Sequence, residues 1–191
     1  MQPVDDESGV ERSLLRRIAA GDRAAFESFF RAYERRVYRY VARMVNDDGL
    51  ANEAASDVMV EVWNSAPRYA GRSKPSTWVL GIAHHKALDC LRRARRDAAL
   101  LHLAEPPRTE SEDPERRAIE SSTRAEIEAA LETISPEHRA VLHLTFVLGY
   151  AQAEIAAIVG CPLGTVKTRV YHAKRALRNA LVSAGLQREV S

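Results

Sequence analysis

The sequence predicts an all-α protein: two small helical domains, a bundle and then a helix-turn-helix, joined by a flexible linker. Three observations predict it. Apolar residues recur at spacings of three and four over most of the 191 residues, and no apolar/polar alternation persists long enough for a strand. Residues 104–121 carry three prolines, clustered acids and almost no apolar side chains, so they cannot build a core and they divide the chain. Aromatics at 6% and nine glycines are too few for a β-sandwich or a glycine-rich cofactor fold. The predicted parts are residues 1–98, the linker 99–123, and residues 124–191.

Each element has a local reason. Leu14, Leu15 and Ile18 predict a short first helix. Phe26, Phe30, Tyr33, Val37, Val41 and Met44 predict a second, with Asp22 placed to cap it. Asn46-Asp47-Asp48-Gly49 ends it. A third helix runs from about Leu50 to Trp63, with Val58, Met59, Val62 and Trp63 inward. Residues 64–75 are rich in turn formers and read as a loop. A fourth helix starts near Ser76, turns Leu80, Ala83, Ala87 and Leu91 inward, and ends in Arg92-Arg93-Ala94-Arg95-Arg96, cations that suit a helix C-terminus. Beyond the linker, Ile127, Leu131 and Ile134 resume the helical spacing. Ser135-Pro136 restarts it, with serine as N-cap and proline in the first turn, and Val141, Leu142 and Leu144 carry it to Gly149.

Residues 151–182 hold the sharpest motif. Ala151 to Val159 reads as a short helix with Ile155, Ala156 and Val159 inward. Gly160-Cys161-Pro162-Leu163-Gly164 reads as a tight turn in which Gly160 takes positive φ. Thr165 is placed to cap a long second helix whose inner stripe is Val166, Val170, Ala173, Leu177 and Leu181. Short helix, turn and long basic helix make a helix-turn-helix pattern. Lys167, Thr168, Tyr171 and His172 fall on the outer side of its first turns, where base edges are reached. Arg169, Lys174 and Arg175 fall nearer the phosphates. In the first half, Arg68, Tyr69, Arg72, Lys74, His85, Lys86, Arg92 and Arg93 mix cations and aromatics, a chemistry that holds unpaired bases and their phosphates. Trp78 reads as core packing, and Tyr69 could equally lay its ring on the helix beneath.

Charge supports two polyanion-binding surfaces. Residues 31–98 carry thirteen basic and eight acidic side chains, residues 99–138 four and ten, residues 139–191 seven and two. No run of eighteen apolar residues predicts a membrane span. The opening Met-Gln-Pro-Val-Asp-Asp-Glu is acidic and lacks the apolar segment of a signal peptide, which predicts a cytoplasmic chain. Cys90 and Cys161 are too few for a disulfide framework, and His102, His138 and His143 lack ligand spacing, so neither a metal nor a cofactor is expected. His84-His85 with Asp89 fits the His-His-x-x-x-Asp pattern of certain acyltransferases. Those enzymes need a large β-rich fold and a glycine where Cys90 stands, so no catalytic residue is expected.

Three segments together carry a resemblance. Residues 51–63, Ala-Asn-Glu-Ala-Ala-Ser-Asp-Val-Met-Val-Glu-Val-Trp, resemble the polymerase-docking helix of bacterial extracytoplasmic-function sigma factors. Residues 76–93, Ser-Thr-Trp-Val-Leu-Gly-Ile-Ala-His-His-Lys-Ala-Leu-Asp-Cys-Leu-Arg-Arg, resemble their reader of the downstream (−10) promoter element. Residues 149–156, Gly-Tyr-Ala-Gln-Ala-Glu-Ile-Ala, with 160–169, Gly-Cys-Pro-Leu-Gly-Thr-Val-Lys-Thr-Arg, resemble their upstream (−35) reader. The family often has glutamine at Ser56, aspartate at Glu53 and asparagine at His85. The resemblance implies region 2-like and region 4-like domains, core RNA polymerase and promoter DNA as partners, an anti-sigma factor as inhibitor, and no small-molecule substrate. It implies polymerase docking through Asp47, Asp48, Glu53, Asp57 and Glu61. It also implies a linker drawn out along the polymerase, with Glu105, Glu110, Glu112, Asp113 and Glu115 keeping it off DNA. A stand-alone helix-turn-helix regulator is the nearest alternative, disfavoured by the all-helical first half. A sigma-mimicking adaptor that sequesters a partner is another, disfavoured because the DNA-facing cations are present.

Overall fold

The computed structural model describes residues 4–101, 127 and 129–183. The predicted linker lies outside them except for its first three residues, and so do Glu105, Glu110, Glu112, Asp113 and Glu115. Helix α1 is Val4–Ala19, longer than the apolar spacing predicts, with Leu15 and Ile18 buried. Gly21, at φ +86°, reverses the chain. Asp22 then caps α2, Arg23–Val45, accepting from the Ala25 N–H at 3.0 Å while pairing with Arg17 at 2.7 Å.

The buried stripe of α2 runs through Ala25, Phe29, Tyr33, Val37, Tyr40, Val41, Met44 and Val45. Its upper part is rotated from the predicted one. Phe30 is exposed, and Phe26 is half-buried with its ring edge-on to Trp63 at 5.3 Å. Both stripes share Tyr33, Val37, Val41 and Met44, so spacing alone permits either. The observed one also buries Tyr40 against His84 of α4.

Asn46, at φ +54°, terminates α2, and Asp47 caps α3, Asp48–Ser65, by accepting from the Leu50 N–H at 2.8 Å. Ala51, Ala54, Val58, Met59 and Val62 face inward. A 3₁₀ turn at Ala66–Arg68 opens the predicted loop. Helix α4, Pro75–Leu101, buries Val79, Leu80, Ala83, His84, Ala87 and Cys90, while Leu91 is half-buried. It runs past the predicted boundary, so residues 99–101 are helix rather than linker. Asp97 to Leu101 contains no glycine or proline, and its alanines and leucines are strong helix formers.

The second half begins with helical residues 129–132. Ser135 accepts from the His138 N–H at 3.3 Å and opens α5, Pro136–Leu142, which continues as a π-helical turn, His143–Val147. Helix α6 is Gln152–Val159, closed by Gly160 at φ +66°. Helix α7 is Leu163–Ser183. It starts two residues before the predicted cap, so Thr165 lies inside its first turn. The Pro162 carbonyl already accepts from the Val166 N–H at 3.1 Å, and Leu163 and Gly164 are helical rather than part of the turn.

Helices α1 to α4 form one bundle, and α7 packs on α5 and α6. The halves also pack together, α6 along α4 and α5 against α2. The apolar core is therefore continuous, from Phe29 and Val37 through Leu80 to Leu144, Ile158 and Val166.

Candidate nucleic-acid interface

The basic face of α7 is open. Val166, Val170 and Ala173 are buried, with Leu177 and Leu181 half-buried behind them, which turns Lys167, Thr168, Tyr171, His172, Lys174 and Arg175 outward. The Tyr171 and His172 rings meet edge to face at 5.4 Å. The Thr168 hydroxyl donates to the Gly164 carbonyl at 3.0 Å. Lys174 lies over the exposed Phe146 ring, 4.8 Å from its centre. Arg169 departs from the other six: it is half-buried and turned toward Glu137 and His84, whose ionisation it influences.

The first-half surface is already engaged with protein. Tyr69 is half-buried, its ring 5.1 Å from Trp78 and its hydroxyl donating to the Ser73 carbonyl at 2.6 Å. The His85 ring shares a hydrogen bond with the Gly81 carbonyl at 2.7 Å and lies beside Gly160 of the second half. Lys74 pairs with Glu154 of α6 at 3.0 Å. Arg72 is exposed on the loop. Arg92 pairs with Asp89, whose carboxyl it holds below the usual range.

The acids of α3 take the remaining cations. Glu53, Asp57 and Glu61 recur every four residues and so share one helix face. Arg93 reaches Glu53 at 3.2 Å and Asp57 at 3.7 Å. Glu61 accepts from the Ser65 hydroxyl and meets Lys86 and Arg68, each at 3.5 Å. The Ser65 bond and then Lys86 hold its carboxyl below the usual range. Asp48 accepts from the Tyr38 hydroxyl at 3.0 Å, and Asp47 is spent on its cap. Several residues assigned to polymerase thus touch residues assigned to DNA. Arg95 and Arg96, which sequence reasoning treated only as helix-end cations, line one groove with Asp57, Lys86, Arg92 and Arg93. Their spacing of three and four from Arg92 is the signal that could have found them.

Helix α6 covers part of the α4 face. A Cβ added at Gly81 would stand 3.7 Å from the Ile158 carbonyl. A groove between the halves is lined by Trp78, Ile82, His85, Lys86 and Ala157. Sequence reasoning missed Glu154 as a partner. It anchors α6 by accepting from the Ala151 N–H at 3.1 Å and holds Lys74 across the seam.

Comparison with known proteins places each half in a family. Sigma-70 region 2 matches residues 29–97, and Sigma-70, region 4 matches residues 124–177. The chain is 32% identical over 173 residues to the ECF RNA polymerase sigma factor SigC of Mycobacterium tuberculosis, covering 91% of each chain. It is 33% identical over 178 residues to SigK of Mycobacterium ulcerans, covering 88% of this chain and 92% of that one. Its fold is similar to that in a co-crystal structure of the sigma factor RpoE with the anti-sigma factor NepR from Bartonella quintana. The TM-score is 0.66 at 18% identity, over 82% of this chain and 96% of that one. No helix among the described residues is long and apolar enough to cross a membrane. The chain belongs to the extracytoplasmic-function sigma factors, transcription initiation factors that bind RNA polymerase and direct it to promoter DNA.

Proposed function

We propose that the two halves divide promoter reading between them. Helix α7 enters the major groove of the upstream (−35) element, with Lys167, Thr168, Tyr171 and His172 toward base edges and Lys174 and Arg175 on phosphates. Arg169 serves the domain's own packing as well as any phosphate. Helix α4 and the loop before it, through Arg68, Tyr69, Arg72, Lys74, His85, Lys86, Arg92 and Arg93, hold the unpaired strand of the −10 element. The α3 acids Asp47, Asp48, Glu53, Asp57 and Glu61 set the register on core polymerase by complementary charge. The division runs at residues 99–123, with α4 reaching into its first part. The protein works in the cytoplasm and carries out no covalent chemistry; binding free energy alone offsets the cost of unpairing.

The observation that carries this reading is the open cationic face of α7 set against a closed α4. The −35 reader is ready in the free chain, while Lys74, His85 and the Gly81 face lie against the second half. The closed chain is therefore the form that withholds α4 from DNA, and promoter binding needs the halves to part. An anti-sigma factor, the partner in the Bartonella quintana complex, would act on this chain by favouring a closed or covered form. Run-off transcription with purified core polymerase and a genomic fragment library tests the reading. Discrete start sites that require both proteins are expected. Templates transcribed equally with and without the chain would overturn it.

A further inference from the structure

Tyr40 lies at the seam of the two halves, fully buried, with a histidine on either side. On the α4 side, His84 is 2% exposed and its Nδ1 shares a 2.9 Å hydrogen bond with the Tyr40 hydroxyl. On the other side, His143 comes from the π-helical turn of the second half, its ring centre 6.1 Å from that of Tyr40. The His143 Nε2 is buried and has no hydrogen-bond partner among the described residues. Promoter reading and polymerase docking use none of the three.

We propose that the His84–Tyr40–His143 layer is an acid-labile latch, which holds the halves together at neutral pH and releases them as the solution acidifies. The inference rests on the reading of the closed chain as the form that withholds α4 from DNA.

The chemistry is that of buried imidazole. Neutral His84 can accept from the Tyr40 hydroxyl or donate to it. Once protonated, both ring nitrogens are donors, and a positive charge sits in an apolar seam. The surrounding groups oppose that charge. Arg39 and Arg43 face the layer from α2 and Arg169 from α7, His85 is the neighbour on α4, and Arg139 stands one turn before His143 on its own helix. Among the described residues, the carboxylate acting on His84 is Glu137 of α5. Burial, then His85 and Arg169, pushes His84 down to about 4. Burial, then Arg43 and Arg39, pushes His143 down to about 4.

When the halves part, the His143 ring leaves Tyr40, Arg39 and Arg43 and regains the ordinary value of about 6.5, while His84 stays against Tyr40 and loses Arg169 and Glu137 of the second half. The closed form is then fully favoured above that value and loses ground as pH falls through it, until the loss levels off near 4. Between pH 7 and pH 5 the His143 imidazole shifts the equilibrium toward opening by about 20-fold. His143 is in the second half while Tyr40, Arg39 and Arg43 are in the first, so its burial depends on closure.

Small-angle X-ray scattering of the full chain from pH 7.5 to pH 5.0, with far-UV circular dichroism at each point, tests the latch. The radius of gyration should rise below about pH 6.5 while helix content holds. The double variant His84→Gln/His143→Gln should remain compact across the range. An unchanged radius of the parent chain down to pH 5.0 would overturn the proposal, and so would equal expansion of the double variant. Should the double variant lose helix content at neutral pH, the parent chain's titration decides alone, since expansion with constant helicity supports the latch and its absence refutes it. Run-off transcription at pH 7.5 keeps the two readings apart, because failure there indicts promoter reading and leaves the titration untouched.

Discussion

Replacing Gly81 by leucine should force the two halves apart without replacing a side chain assigned to DNA. The glycine lies on the α4 face where α6 crosses. A Cβ built there stands 3.7 Å from the Ile158 carbonyl and 4.0 Å from the Ala157 carbonyl. Those are ordinary contact distances, so alanine fits. It should stabilise α4 by about 0.5–1 kcal/mol through the lower conformational freedom of the unfolded chain. Leucine adds three more carbons, and the atoms they meet belong to the α6 backbone, which cannot turn aside as a side chain can. Overpacking of that kind costs roughly 1–3 kcal/mol, or about 5- to 150-fold in the ratio of closed to open chain. The assay is gel filtration and scattering for the open fraction, with circular dichroism for helix content. The leucine variant should elute earlier at unchanged helicity, and the alanine variant should match the parent. A leucine variant as compact as the parent, or an alanine variant that opens, would refute the account of α6 resting on α4.

Other substitutions test other surfaces. Arg175→Ala should weaken binding to all upstream elements alike and lower the salt slope by about one ion, read from binding isotherms at several salt concentrations. Lys167→Ala should instead change base preference, by roughly 1–3 kcal/mol for a lost good contact, read from a randomised −35 library. Reversing Asp57 and Glu61 to lysine should cut binding to core polymerase in a fluorescence titration. It also sets two cations against Arg93, Lys86 and Arg68, so stability should fall with it. Ser135→Ala removes the α5 cap and should lower stability to denaturant by about 1 kcal/mol, with DNA preference unchanged.

What could be read from the sequence was what a few neighbouring residues decide. Asp22, Ser135 and Gly160 mark helix ends because capping and left-handed backbone are settled within one turn. The outward face of α7 was legible for the same reason, since Val166, Val170 and Ala173 fix its inner stripe. The half-burial of Arg169 was not legible, because Glu137, whose carboxyl it influences, lies far off in sequence on another helix. The α2 stripe was mis-phased where Phe26, Phe29 and Phe30 crowd together, and only the Tyr40–His84 contact with α4 settles the choice. The pairing of α3 acids with α4 cations was hidden likewise. Each set shows in composition, but their register depends on how two helices pack. Nothing local signals that the halves share one core, because Gly81 and Ile158 meet only after both have folded.

Arg93, held between Glu53 and Asp57, bears on how the factor searches a genome. Nonspecific attraction to DNA grows with the number of phosphates a surface neutralises, and a cell offers millions of such sites for every promoter. A cation already shared with a carboxylate displaces fewer counterions from the duplex. Lys86 against Glu61 and Lys74 against Glu154 are discounted in the same manner. These first-half cations thus add little to the unaccompanied factor's hold on bulk chromosome, and that hold falls to the open face of α7. Under the proposed docking, a polymerase surface that takes up the α3 acids would leave Arg93 and Lys86 to the promoter strand.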